Sequence, residues 1–370
     1  MSREVLMSYK NHKRKFLFLF LVILAFIVRW LMSLSPEFTE KYYSRGLDPV
    51  IMQPLSRLTG IFPLSAAELF IIILTIYMVV RIVFLIIRAV KSRKWSVFVP
   101  FLANVVMIAS LWFFIQTVVW NINYERLPFA AVANMEVRDS SVEELESLCR
   151  LLIKDTNSLR DQVEKDHNGI MKTDGGFDSI AQRAEEGYTE LARQYPFLGG
   201  NYGRPKPVLL SRLMSHTNII GIYTCLTGEA NIDVDIPDLD QPSTALHEMA
   251  HQRGFAREDE ANFISYIACM AHPDADFKYS GSVLALQHSM NALYAADPER
   301  YFALVKSYSP GYLTDLMNEQ AYWKQFQGVT KKVVDKMNDT YLKLNGEADG
   351  VKSYGRMVDL LLALYRNRLE

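Results

Sequence analysis

Hydrophobic residues are not spread evenly along this chain. Residues 16–34, 64–90 and 97–120 form three almost continuous apolar runs. Each is long enough to cross a hydrocarbon core of about 30 Å at about 1.5 Å per residue. Charges inside them are few: Arg29 lies near the far end of the first, and Glu68 and Arg81 lie in the second. Asn104, Ser110 and Gln116 interrupt the third. The first run is too long for a signal peptide, and Ser33-Leu34-Ser35-Pro36 follows it instead of a small-residue cleavage site. It therefore reads as an uncleaved anchor.

Beyond residue 120 the pattern changes. Residues 121–137 read as a linker leaving the membrane. Ser141 with Glu144 fits a capping box, and Leu145, Leu148, Leu152 and Leu159 give a helical stripe through about residue 166. A Gly- and Asp-rich turn occupies 168–176, and a second helix is expected over 178–194, ending before Pro196. After a Gly/Pro-rich loop at 195–207, residues 208–213 and 219–225 are short β-type runs, and 230–236 alternates apolar with acidic positions. These predict two or three antiparallel strands. Helical periodicity then continues to the end, with segments at 243–254, 263–271, 280–296, 298–308, 313–344 and 353–369. The expected fold class is α+β and mostly helical. A membrane region over 1–120 precedes a soluble domain over 121–370 that carries a small antiparallel sheet.

The Lys/Arg distribution orients the spans. Arg3, Lys10, Lys13, Arg14 and Lys15 precede the first, and Arg88, Lys91, Arg93 and Lys94 mark the short turn between the second and third. Both belong in the cytoplasm. The loop over 35–63 dilutes Lys41, Arg45 and Arg57 with Glu37, Glu40 and Asp48, and belongs outside. Three spans from an inside N-terminus place everything after Trp120 on the extracytoplasmic side. The net charge of −1 carries no nucleic-acid footprint. Cys149, Cys225 and Cys269 lack the spacing of a zinc ribbon or a redox pair and read as small buried side chains. A Cys225–Cys269 disulfide is open to an exported domain.

The chemistry concentrates at His247-Glu248-Met249-Ala250-His251. On a helix, residues four apart share a face, so His247 and His251 aim two imidazoles at one point, as a tetrahedral Zn²⁺ requires. Glu248, beside the first ligand, reaches toward water at the metal as general base. Pro242 and Ser243 open the helix and Gly254 offers a left-handed stop. Five residues with three fixed is a weak pattern, and the bland alternative is a surface helix with two solvated histidines. A catalytic zinc needs a third protein ligand, and Arg257-Glu258-Asp259-Glu260-Ala261-Asn262 follows at once. Glu258 is preferred, because Asn262 lies four residues on and can steady a ligand from behind. Glu260 points to the other side of the same helix and remains the alternative. Tyr223, on a strand expected to lie beside the motif helix, is a candidate for steadying an oxyanion, against a plain role as an edge-strand tyrosine. His272 and His288 read as structural.

Glu258-x-x-Ala261-Asn262 resembles the Glu-x-x-Ala-Asp/Asn signature of gluzincin-type peptidases, in which the first Glu is the third zinc ligand. The stretch from Gly228-Glu229-Ala230-Asn231 through His251-Gln252-Arg253-Gly254-Phe255 to Asn262, with Gly350–Asp359, is similar to a bacterial membrane-protein family catalogued only as a domain of unknown function. That resemblance runs over most of the chain and implies a metallopeptidase without a substrate. One departure matters. Only six residues separate His251 from Glu258, far fewer than in thermolysin-like enzymes, and Arg257 occupies the slot where metzincins place their third ligand. Arginine cannot ligate.

These readings converge on a membrane-anchored zinc peptidase with a zincin-like soluble domain: Zn²⁺ on His247, His251 and Glu258, Glu248 as base, a peptide or protein as substrate and the lipid bilayer as surroundings. A non-catalytic zinc-binding sensor or scaffold is the alternative. An intramembrane protease is disfavoured, since the motif lies among Asp238, Asp240, Arg253 and Arg257, outside the apolar runs.

Overall fold

Three helices long and apolar enough to cross a membrane occupy Phe16–Ser33, Ala66–Ser92 and Trp95–Val119 in the computed structural model, close to the expected limits. The structure describes residues 15–326 and 356–369, with positions 336, 339, 340 and 343 between them. Arg3, Lys10, Lys13 and Arg14 lie outside the described residues. So do the Gly350–Gly355 part of the family resemblance and most of the expected helix beyond residue 326.

The first span ends in α1 (Leu19–Ser33). Residues 35–63, expected as an outside loop, are instead helical: a π-helical stretch at Thr39–Leu47 leads into α2 (Asp48–Gly60). The second and third spans are α3 (Ala66–Ser92) and α4 (Phe98–Val119). Ser65 caps α3 by accepting from the Glu68 N–H, and Arg93 turns the chain in a left-handed conformation. α1 and α4 pack along one another, with Phe26 and Phe113 rings 5.6 Å apart. Outward faces carry Phe20, Ile23, Trp30, Phe70, Ile73 and Ile76, all exposed. Such surface is unfavourable in water and suited to acyl chains.

The polar residues that make 35–63 look like a loop are buried by partners far along the chain. Glu40 receives Arg126 in a bidentate pair at 2.8 and 2.9 Å. Ser44 donates to Asn123 Oδ1 at 2.7 Å, and Asn123 Nδ2 donates to Asp48 at 3.1 Å. The expected linker is likewise built in. Asn121–Glu125 forms a 3-10 turn and Phe129–Val132 a short helix, with Asn123, Arg126 and Phe129 buried.

α5 (Val142–Arg160) starts at the expected Ser141/Glu144 capping box, and α6 (Gly176–Leu191) follows the turn. The sheet contains β1 (Lys206–Pro207), β2 (Gly221–Thr224) and β3 (Glu229–Ile232), in the order β1-β3-β2. β2 runs antiparallel to β3, with Tyr223 opposite Ala230, but β1 is parallel to β3, so the sheet is mixed. Residues 208–213 are not a strand. The Leu209 and Leu210 N–H groups donate to the Glu68 carboxylate, both at 2.8 Å, and a short helix follows at Ser211–Ser215. A ladder needs those N–H groups, and the Glu68 carboxylate at the start of α3 takes them.

Two helices then run through the centre: α7 (Gln241–Gln252), which carries the motif, and α8 (Glu258–Ala271). Ala245, Leu246, Met249, Ala250, Phe263, Ile264 and Ala268 are almost wholly buried in one core with residues of α5 and α6. α9 (Ala275–Ala296), α10 (Pro298–Val305), α11 (Pro310–Lys324) and α12 (Met357–Leu369) complete the domain. All three cysteines are free and buried. Cys225 packs with Trp120, Tyr124 and Ala256, whereas Cys269 lies in the main core, so no disulfide joins them.

Candidate metal centre

α7 and α8 bring His247, His251 and Glu258 together. Among the described residues these three form a group whose ligating atoms all lie within 4.8 Å of one another. The two histidine Nε2 atoms are 3.1 Å apart, and Glu258 oxygens lie 3.2 Å from His247 Nε2 and 3.7 Å from His251 Nε2. A tetrahedral zinc with bonds of about 2.0–2.1 Å keeps its ligands roughly 3.3–3.4 Å apart. The three observed separations straddle that value, so the residues fit the ion.

The turn between the two helices makes the short spacing work. Gly254 takes φ +77°, the left-handed position expected for it, and reverses the chain. A Cβ there would also meet Asn123 Oδ1 at 3.1 Å and Asp48 Oδ2 at 3.2 Å. Arg126 donates to the Gly254 carbonyl at 2.9 Å and lies 3.8 Å over the Phe255 ring. Arg253 anchors the end of α7 through the Met249 and Leu198 carbonyls and both Glu185 oxygens, stacked 3.7 Å over Tyr188. The reversal sets Glu258 in the first turn of α8, where the helix dipole favours a carboxylate.

The histidine tautomer follows from its partner. His251 Nδ1 lies 2.6 Å from the Phe255 carbonyl, which only accepts. Nδ1 therefore carries the proton, and Nε2 faces His247 and Glu258. Burial works against an imidazolium at His251, but the Glu258 carboxylate outweighs it, and the pKa is pushed up to about 9. Burial alone would raise Glu258; the two histidines instead hold it well below the usual carboxylate range. The imidazolium and the carboxylate stabilise one another across the cluster.

Glu248 stands beside this triad, buried at 4 % exposure. Burial raises its pKa against the pull of His247 and His251. It packs on β2: a Cβ on Gly221 would lie 2.5 Å from Glu248 Oε1, and the Tyr223 main-chain N–H bonds to the carboxylate. Glu248 Oε2 has no hydrogen-bond partner although buried. A buried carboxylate oxygen left bare is costly and points to an absent partner, water or substrate.

The remaining candidates are placed as follows. Glu260 accepts from the Phe129 N–H at 2.8 Å and pairs with Arg257 at 3.1 Å, holding the 121–132 segment to α8 rather than joining the triad. Asn262 is buried one turn beyond Glu258 on the same helix. The Tyr223 hydroxyl donates to Met52 Sδ at 3.2 Å, and its ring packs 4.9 Å from Trp120, so the oxyanion role gains no support from its side chain. His272 is structural: its ring stacks 3.8 Å from Phe277 and bonds the Asp274 N–H and the Arg183 carbonyl. Sequence reasoning missed Trp120, whose ring meets His251 edge-on at 5.6 Å, and Gly221. The aromatic at a span end is a readable signal; the glycine is not.

The fold and site thus define a class: a mostly helical protein with three N-terminal helices long and apolar enough to cross a membrane, a His-His-Glu cluster and an adjoining buried carboxylate. The chain belongs to the family described as protein of unknown function, DUF3810, which matches residues 43–362. No curated protein and no solved structure matches it.

Proposed function

We propose that this protein is a membrane-anchored zinc-dependent peptidase. His247, His251 and Glu258 hold the metal, and Glu248 is the general base. The observation that carries the reading is the bare, buried Oε2 of Glu248 next to three ligating atoms at zinc spacing. Zinc, when bound, supplies Lewis acidity that polarises a carbonyl and lowers the pKa of water. Glu248 Oε2 takes the proton of the attacking water and hands it to the leaving amine nitrogen. Burial supports the second half of that exchange by favouring the protonated acid. β2 holds the carboxylate in position from behind. The Lys/Arg distribution supports an extracytoplasmic site, and a reporter fused after Glu370 that works only in the cytoplasm would reverse that orientation.

The test compares Glu248→Gln with the unaltered chain, full length in detergent, by metal analysis and by cleavage of a peptide pool. The expected result is one zinc per chain in both and a loss of cleavage of about 10²–10⁴-fold in the variant. Zinc retained with no cleavage by the unaltered chain, in any pool, favours the non-catalytic sensor or scaffold. Failure of added zinc to load either protein overturns the metal assignment.

A further inference from the structure

The position of the site relative to the spans narrows the substrate. Trp120 caps the C-terminus of the third span, and its ring touches both His251 and Tyr223. The polar layer outside the hydrocarbon is only about 5–8 Å thick on each side, and the His251 ring centroid is 5.6 Å from that of Trp120. The sheet is fixed at the same height by the second span. Glu229 of β3 accepts from the N–H groups of Ala66 and Ala67, which begin α3, at 3.0 and 2.9 Å. Glu68, one residue further, holds Leu209 and Leu210. These contacts lie at the start of α3 and the end of α4, the ends that an antiparallel pair of spans places on one side of the membrane.

β2 is an edge strand, paired with β3 on one side only among the described residues, and Gly221 at its start lies against Glu248. Ile222 on β2 is 49 % exposed and Leu226, just beyond its end, is 38 % exposed. Apolar side chains bared at an edge strand are unfavourable in water; at the level of lipid headgroups they are covered.

We infer, resting on the peptidase reading, that the substrate is the extended segment that directly flanks a transmembrane helix of another membrane protein. That segment adds to the edge of β2 at Gly221, main chain to main chain, with its apolar side chains against Ile222 and Leu226. It then passes beside Glu248 while its own helix stays in the bilayer. A polypeptide free in solution would have to reach a site set at headgroup depth, whereas a membrane-tethered one is delivered there.

The experiment uses the full chain, zinc-loaded, in liposomes, with three probes that share one randomised segment of twelve residues. In the first the segment directly adjoins a synthetic transmembrane helix. In the second a polar spacer of twenty residues separates the two. The third is the segment alone with a polar tag. Mass spectrometry gives cut positions and rates. The first probe should be cut at least about tenfold faster than the second, which has the same membrane concentration. Its cuts should fall within about five residues of the helix, a span of roughly 17 Å at about 3.3 Å per residue. Equal rates for the first two probes, or equal cutting of the free segment, overturn the inference and leave the peptidase standing. No cutting of any probe by the zinc-loaded chain overturns the peptidase reading and this inference with it.

Discussion

Gly221→Ala is the sharpest test of how the base is held. The added methyl would lie 2.5 Å from Glu248 Oε1, 2.8 Å from Cγ and 2.9 Å from Cδ. Ordinary carbon contacts need about 3.5 Å or more, so the Glu248 side chain must retreat by roughly 1 Å. Cγ is struck as well as the tip, so rotating the carboxylate does not relieve the clash. A displacement of about 1 Å at a reacting group costs on the order of 10²-fold in rate, and overpacking costs about 1–3 kcal/mol of stability. The proposed ligands His247, His251 and Glu258 are not touched by the added methyl, so zinc affinity should stay within about threefold, well under 1.4 kcal/mol. The assay is kcat on the cleaved peptide beside zinc affinity by chelator competition and a thermal melt to show that the chain is folded. In a Glu248→Gln background the substitution should cost nothing further in rate, because its whole effect runs through that carboxylate. Glu248→Asp, one methylene shorter, should suffer less from the alanine than the native side chain does. If Gly221→Ala turns over at the native rate, or loses zinc in step with activity, the picture of β2 as the backstop of the base is wrong.

Other expectations follow from the same geometry. Glu258→Ala should lose zinc affinity by at least about tenfold. Glu260→Ala should keep the metal and lose about 1–3 kcal/mol of stability by orphaning the buried Phe129 N–H; the reverse pattern would move the third ligand by two residues. Zinc must displace the proton that His251 holds up to about pH 9, so affinity should climb with pH from 6 to 9, and a flat profile above pH 7 contradicts the assignment. In the metal-free chain the signs differ by group. His251, raised above 6.5, adds stability that is complete below pH 6.5 and fades through about 9. Glu258, lowered from 4.5, adds stability present above pH 4.5 and lost on acidification. Melts of metal-free protein should therefore show these contributions overlapping between about pH 4.5 and 6.5. Arg126→Ala breaks a buried pair with Glu40 and frees the Gly254 carbonyl, and should cost about 3–5 kcal/mol; a melt shifted by less than a degree or two would show the clamp to be idle.

How much of this was legible in the sequence depends on the range over which each signal acts. The spans, the Ser141 capping box, the motif helix and its Gly254 stop rest on neighbours within a turn or two, and the structure places all of them within a few residues of expectation. Residues 35–63 and 121–137 were misread for the opposite reason. Glu40, Ser44, Asp48, Asn123 and Arg126 are polar, and polar stretches between apolar ones read as loop. Each is buried because its partner lies tens of residues away: 86 in sequence for Glu40 and Arg126, 75 for Asp48 and Asn123. No local pattern carries such pairings. The strand expected at 208–213 failed in the same way, losing its N–H groups to Glu68, 141 and 142 residues earlier.

Those long-range pairings are also what ties the site to the apolar helices and the segments between them. The residues that hold the turn between α7 and α8 come from the first extramembrane stretch and from the exit of the third span. Lys206, in β1, is buried against the Thr59 and Leu64 carbonyls and pairs with Glu229, which in turn caps α3. A motif helix cut free of these partners would keep its two histidines one turn apart, since that is set by helical periodicity alone. It would not keep Glu258 opposite them, because that depends on the Gly254 reversal, and Asp48, Asn123 and Arg126 pack around that glycine. The two histidines of the cluster are therefore placed by local properties of the sequence, while the glutamate is placed by the folded junction between the C-terminal domain and the apolar helices. That is why His247 and His251 could be read from helical spacing alone, whereas Glu258 rested on its spacing to Asn262 and on the resemblance, and why the apolar helices and the segments joining them form part of the site's scaffold.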